Sequence, residues 1–251
     1  MKTIITLFDI PMHNWTLQET VGEIGQRLEN RQFTQHVVVN VAKLMAMQDN
    51  AALRQAVLQC DIINIDGAGI VFGGRFLGLN IPERVAGIDL FYELLALAER
   101  RRFSVYFLGA RPDIVTRAVA VLQQRYPNLI IAGFHHGYFK AAEEAEMVDQ
   151  IRRSGADLLF VAMTSPLKET FIQRWRQRLG VHFVMGVGGT LDVVAGKVRR
   201  APLWMQRWGL EWLFRLLQEP RRLWKRYLIS NSRFLYRLGK ARLLGANRAH
   251  G

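Results

Sequence analysis

Six short runs of β-branched and other apolar residues recur along the chain: TQHVVVNV (34–41), DIINID (61–66), FSVYFLG (103–109), LIIAGFH (129–135), DLLFVAM (157–163) and HFVMGVGG (182–189). Their length and their polar or glycine boundaries predict buried strands. Between them, apolar positions recur at helical spacing over Ala42 to Gln59, Ile88 to Arg102, Pro112 to Tyr126, Ala141 to Ser154 and Lys168 to Leu179. Crossovers this long join parallel strands, and strands apolar throughout are covered on both faces. The expected class is therefore α/β, a mostly parallel sheet flanked by helices. The opening KTIITLF (2–8) predicts a further strand, and Leu17 to Leu28 a further helix that Gly22 and Gly25 weaken. The middle of NIDGAGIVFGGRFLGLNIPERVAGIDL (64–90) predicts neither strand nor helix.

The pattern changes near 195–202. Beyond it, aromatic and leucine positions mix with arginines at helical spacing, and four of the six tryptophans fall there. This predicts basic amphipathic helices, with Pro220 starting a second helix or kinking the first. The division expected is an α/β body over 1–195 and a basic helical appendage over 196–251. Charge sharpens it: of the net +13, residues 196–251 carry 14 Lys and Arg against Glu211 and Glu219, leaving 20 basic and 19 acidic residues for 1–195. Such a tail suits an anionic partner: nucleic acid, anionic lipid or a phosphorylated substrate. It also reads as a structural helical subdomain. Arginines alternating with Trp, Leu, Phe and Tyr favour a membrane surface. No recognised nucleic-acid motif accompanies them, so no nucleic-acid partner is expected. No apolar run reaches the roughly 18 residues of a membrane span.

An apolar share of 50% over 251 residues excludes a disordered or fibrous chain. The lone Cys60 forms no internal disulfide and points to a reducing compartment. Asp9, Pro11 and His13 interrupt the opening apolar run, so the chain is read as mature from Met1.

In a Rossmann-like sheet of this kind, ligands bind beyond the carboxyl ends of the strands. The residues there are Asn40; Asp66, Gly67 and Gly69; Gly109; His135, His136 and Gly137; Thr164 and Ser165; and Gly186, Gly188 and Gly189. They are expected to converge on one cleft. Each alone also reads as an ordinary strand-to-helix turn. Asp66 is the leading general-base candidate, with a helix N-cap as the plain alternative. Arg84, in PERV, is either an exposed loop arginine or a fixed cation for phosphate. GVGGTLD (186–192) offers amides that could cradle a diphosphate. Neither GxGxxG nor GxxxxGK[ST] occurs, which argues against ordinary dinucleotide dehydrogenases and Walker-type ATPases. CxxC, HxxxH, HExxH and Asp-x-Asp are missing too, so no metal site is expected, and His135 and His136 read as loop or core residues.

Together these residues resemble the WecG/TagA/CpsF family of bacterial glycosyltransferases over nearly the whole chain. The resemblance rests on DGAGIV (66–71), ERVAGIDL (83–90), FLG (107–109), GFHHGYF (133–139), the Pro166 to Glu169 turn, GVGGTLDVVAG (186–196), RAPLW (200–204) and GLEWLFRLLQEPRR (209–222). It implies inverting transfer of a sugar from a UDP-sugar to a polyprenyl-diphosphate-linked saccharide, in cell-surface or exopolysaccharide biosynthesis. It places the enzyme peripherally at the cytoplasmic face of the inner membrane, without a cofactor and with scope for a homo-oligomer. Asp66 then matches the base, Asn40 its polar neighbour and Arg84 the cation at the donor phosphates. Gly67, Gly69, Gly109, Thr164, Ser165, Lys168, Glu169, Gly186, Gly188, Gly189 and Asp192 fall to substrate binding. Arg200, Arg215, Arg221, Arg222 and Arg226 fall to the lipid diphosphate or the membrane. Val38 replaces a common family threonine, and Lys168 stands where glutamine is common, so the donor can differ from that of better-known members. Another nucleotide-dependent enzyme of Rossmann-like fold and a nucleic-acid-binding protein are the alternatives.

Overall fold

All six apolar runs become strands. With a hairpin at the start, the strands are β1 (Ile4–Leu7), β2 (Ile10–His13), β3 (Thr34–Val39), β4 (Ile62–Ile65), β5 (Ser104–Gly109), β6 (Ile130–His135), β7 (Leu158–Ala162) and β8 (Phe183–Gly186). The computed structural model describes residues 3–244; Met1, the first residue of the opening run at Lys2, and the end of the basic tail at 245–251 lie outside the described residues. The strands hydrogen-bond in the order β1-β2-β4-β3-β8-β7-β5-β6. β1 is antiparallel to β2, while β2 with β4, β3 with β8, β8 with β7, β7 with β5 and β5 with β6 are parallel. The protein is thus an α/β fold with a mostly parallel sheet flanked by helices.

β2 is the strand that the hydropathy pattern did not predict. Leu7 faces Ile10 across a two-residue loop of Phe8 and Asp9, whose φ values are 50° and 61°. A two-residue hairpin with positive φ at both positions normally uses Asn-Gly or Gly-Gly, so Phe-Asp gives no turn signal. Pro11 further disguises the strand.

The described residues fold as two compact units: those within 1–17, 38–86 and 200–251 form one, and those within 18–37 and 87–199 the other. In the second unit, alternate strand residues point to opposite faces and both faces are buried. On one side Phe107 and Phe160 meet Phe91 of the helix Gly87–Arg101, and Phe183 packs against Phe160; Phe91 and Phe160 lie 4.8 Å apart, edge to face. Leu108, Leu159, Val161 and Val184 meet Met147, Ile151, Phe171 and Ile172 on the other.

In the first unit the segment 42–59 is two helices, Val41–Asp49 and Ala51–Leu58, where one was predicted. The break falls at Asn50, whose side chain accepts from the Leu53 N–H at 2.9 Å and caps the second helix. The middle of 64–90, predicted to lack regular structure, contains the helix Ala68–Phe76. The change of composition near 195–202 coincides with the point where the chain passes from the second unit back into the first. The described tail forms the helices Leu203–Arg207, Glu211–Gln218 and Pro220–Leu243, with Pro220 in the opening turn of the last. That last helix packs on Val41–Asp49 and Ala68–Phe76, burying Leu223, Phe234 and Leu238. A Cβ on Gly73 would lie 2.5 Å from Phe234 Cζ, so this crossing needs glycine at 73. Arg233 clamps Asp49 through Nη1 and Nη2, and Arg237 donates to Gln48 Oε1 at 2.7 Å.

Candidate active site

Asp66 follows β4 directly. Its N–H donates to Val39 O at 2.9 Å, and Val85 N donates to Ile65 O at 2.7 Å, which draws the PERV segment across the end of the strand. The cap of the helix Ala68–Phe76 is Gly67, at φ 91°, and no side chain caps that helix. The N-cap reading of Asp66 therefore fails. Gly69 has a packing reason, since a Cβ there would meet Val41 Cγ2 at 2.7 Å.

Asn40 ends β3 and caps the helix Val41–Asp49, its Oδ1 accepting from Lys43 N at 3.0 Å. Asn40→Ala is expected to cost about 1 kcal/mol, read in a thermal or urea melt. Asn40→Ser, which can still cap, should recover most of it. A transfer defect that Ser leaves in place while it restores stability would separate the amide's chemical role from its structural one.

Burial raises the Asp66 carboxyl from its ordinary value near 3.8 to about 6. Arg84 opposes the rise, Glu211 reinforces it, and Arg215 and Lys43 oppose it more weakly. The carboxylate makes no hydrogen bond or ion pair among the described residues. A carboxyl with this midpoint, surrounded by three cations, can accept a proton near neutral pH and still leave anionic groups a place to bind.

Arg84 is about one-fifth exposed and is held by the tail: Nη1 donates to Glu211 Oε2, and Nη2 donates to Gln206 O at 3.4 Å. Arg200 Nε lies 3.7 Å from the other Glu211 oxygen. Gly209, at φ 71°, brings the tail backbone onto the start of the Asp66 helix, where a Cβ would come within 2.3 Å of Ala68 Cβ. Glu211 is the member of this cluster that sequence reasoning missed. The available signal was its isolation, as one of two acids among 14 basic residues after 195.

Asn40, Asp66, Gly67, Gly69, Arg84, Arg200 and Arg215 thus belong to one unit. Gly109, Thr164, Ser165, Lys168, Glu169, Gly186, Gly188, Gly189 and Asp192 belong to the other. There, Gly109 has φ 126° and lies so close to Ala162 that a Cβ would come within 2.4 Å of its carbonyl oxygen. Thr164 O accepts from Lys168 N, and Thr164 and Ser165 are exposed. Lys168 is buried with its stem against Gly186, and its ammonium lies 3.1 Å from Glu169 Oε1, so its charge is met within the protein. The GVGG loop opens a helix of only five residues, Thr190–Val194, and Asp192 pairs with Lys197 at 3.1 Å.

On the tail, Arg221 and Arg226 are exposed and Arg222 pairs with Glu219. Trp204, Trp208, Trp224 and Leu228 are exposed as well. Among the described residues no helix is long and apolar enough to cross a membrane, and no cluster of three or more His, Cys, Asp or Glu side chains is placed to hold a metal ion.

The sequence is similar to two curated transferases. It is 38% identical over 163 residues to an N-acetylglucosaminyldiphosphoundecaprenol N-acetyl-beta-D-mannosaminyltransferase of Bacillus subtilis (strain 168), covering 65% of this chain and 62% of that protein. It is 36% identical over 183 residues to the protein of the same name from Bacillus spizizenii, covering 73% of this chain and 70% of that one. The match thus spans slightly less than two thirds of the B. subtilis protein. The glycosyl transferase WecG/TagA/CpsF family matches residues 5–248, and the chain belongs to that family.

Proposed function

We propose that this protein is an inverting glycosyltransferase that moves a sugar from a UDP-sugar to a polyprenyl-diphosphate-linked saccharide in cell-surface or exopolysaccharide biosynthesis. The observation that carries the reading is Asp66: a carboxyl with a midpoint of about 6 at a strand end, ringed by Arg84, Arg215 and Lys43, in a chain of this family. Asp66 removes the proton from the acceptor hydroxyl as that oxygen attacks the anomeric carbon from the face opposite the leaving group. The bond from the anomeric carbon to the diphosphate breaks, and UDP leaves with the electron pair. Arg84, Arg200 and Arg215 offset the charge that develops on the departing diphosphate. Asn40 holds the helix that places Lys43 beside the base.

The names of the Bacillus relatives support a lipid-diphosphate acceptor. Exposed Trp224, set between Arg222 and Arg226, and exposed Trp204 and Trp208 earlier in the tail support seating at the cytoplasmic membrane face, with the rings in the headgroup region and the guanidiniums on phosphate. No cofactor enters the reaction, since the UDP-sugar is already activated.

The test incubates purified protein and acceptor-bearing membranes with radiolabelled UDP-sugars and follows label into lipid extracts, with Asp66→Asn as control. Transfer from one donor, lost in the variant, supports the reading. No transfer from any donor, with the acceptor lipid shown to be present, overturns it. The rate should also fall as pH drops through about 6, where Asp66 becomes protonated and can no longer act as a base.

A further inference from the structure

Between residues 196 and 251 only Glu211 and Glu219 are acidic. Glu219 pairs locally with Arg222 on an exposed face. Glu211 instead reaches Arg84, 127 residues away in sequence, and its second oxygen faces Arg200. One carboxylate with a guanidinium on each oxygen copies the way two arginines grip a phosphate. The Gln206 carbonyl takes a further Arg84 donor, so the tail orients this guanidinium at two points.

We propose that Glu211 is a positioning residue for the transfer: it fixes Arg84 and Arg200 as a pair beside Asp66, and its charge keeps that pair from holding the departing diphosphate too tightly. This rests on the reading of Asp66 as base and Arg84 as the cation facing the diphosphate. Glu211 sets one negative charge against these two guanidiniums. The charged groups around Asp66 are Lys43 from the helix Val41–Asp49, Arg84 from its loop, and Glu211 and Arg215 from the tail helix. Glu211 is the lone anion among them. Its removal leaves three cations, which stabilise the ionised carboxylate of Asp66 and make it a weaker base.

The test uses the full chain and Glu211→Gln, which keeps the length and one acceptor oxygen but loses the charge. UDP binding is measured by calorimetry. The Asp66 carboxyl is titrated by carbon-13 NMR, with its resonance assigned through Asp66→Asn. Expected are a several-fold tighter hold on UDP, lower kcat together with lower KM, and an Asp66 midpoint lowered by up to about one unit. Glu211→Asp, which keeps the charge, should hold the midpoint near wild type.

Weaker UDP binding, or an unmoved Asp66 midpoint in a variant that melts like wild type, would overturn the proposal and leave Glu211 as a structural tie. If Glu211→Gln does not fold, Glu211→Asp decides: a midpoint that falls although the charge is kept also overturns it. Wild-type protein that binds no UDP would overturn the reading of the reaction instead, and the Asp66 titration would still decide the role of Glu211.

Discussion

Asp66→Asn is expected to remove transfer almost entirely while making the protein more stable at neutral pH. Asparagine keeps the size of aspartate but cannot accept a proton, and loss of a positioned general base lowers rates by on the order of 10²- to 10⁴-fold. The stability change has the opposite sign because burial raises the carboxyl from 3.8 to about 6. Below about pH 4 the group is protonated in both folded and unfolded chains and has no effect. Between about 4 and 6 the folded chain binds more protons than the unfolded one, so stability falls as pH rises. Above about 6 the full cost of a half-buried, ionised carboxylate is present. A shift of this size corresponds to on the order of 3 kcal/mol, which the neutral asparagine is spared. Urea melts of both proteins at pH 4 and pH 7 check it: the gap should open with rising pH in favour of the variant. A variant less stable than wild type by the same amount at both values would show that the Asp66 charge is not under strain. Near-normal transfer would remove Asp66 from the role of base.

Such a cost marks a group retained for chemistry, and the sequence hinted at it through an aspartate placed after the apolar run DIIN and before Gly-Ala-Gly. What no sequence window contains is the environment that raises its midpoint. Arg84 and Arg215 arrive from separate segments, and the Arg84 to Glu211 contact spans 127 residues. The strands were legible for the reverse reason: β5, β7 and β8 are buried on both faces, so each is a continuous apolar run that needs no knowledge of its neighbours. The helix Ala68–Phe76 was not, because its sequence AGIVFGGRF holds three glycines, each unfavourable to a helix. Each has a tertiary reason instead. A Cβ would press Gly69 into Val41, Gly73 into Phe234 and Gly74 into Ile81. Local propensity and packing disagree there, and packing prevails. The tail shows the same division. Its charge and amphipathic spacing announced basic helices, but nothing in Pro220 to Leu243 separated the aromatic ring that docks from those that stay exposed.

That distinction has a large expected effect. Phe234 is 3% exposed, lies edge to face with Phe8 at 5.9 Å and fills the space over Gly73. Phe234→Ala should cost about 3–5 kcal/mol, the transfer and cavity loss of a buried phenylalanine, and should appear as a large fall in the urea midpoint. Trp224, four residues into the same helix and 54% exposed, should change stability by no more than about 0.5 kcal/mol when made Ala. Its loss should show instead as weaker binding to anionic vesicles. The Gly73 contact permits a sharper check. Gly73→Ala inserts a methyl group against the ring and should cost about 1–3 kcal/mol by overpacking. Phe234→Leu shortens the ring side chain and opens a gap at the same point. Combined, the added methyl and the missing ring atoms offset each other, so the double variant should be more stable than the sum of the single losses allows. Because the helix Ala68–Phe76 starts two residues after Asp66, transfer should recover together with stability in the double variant. Strict additivity of the two losses would mean that Phe234 does not pack on Gly73 in solution, and the tail would then be tethered beside the Asp66 helix rather than built into it.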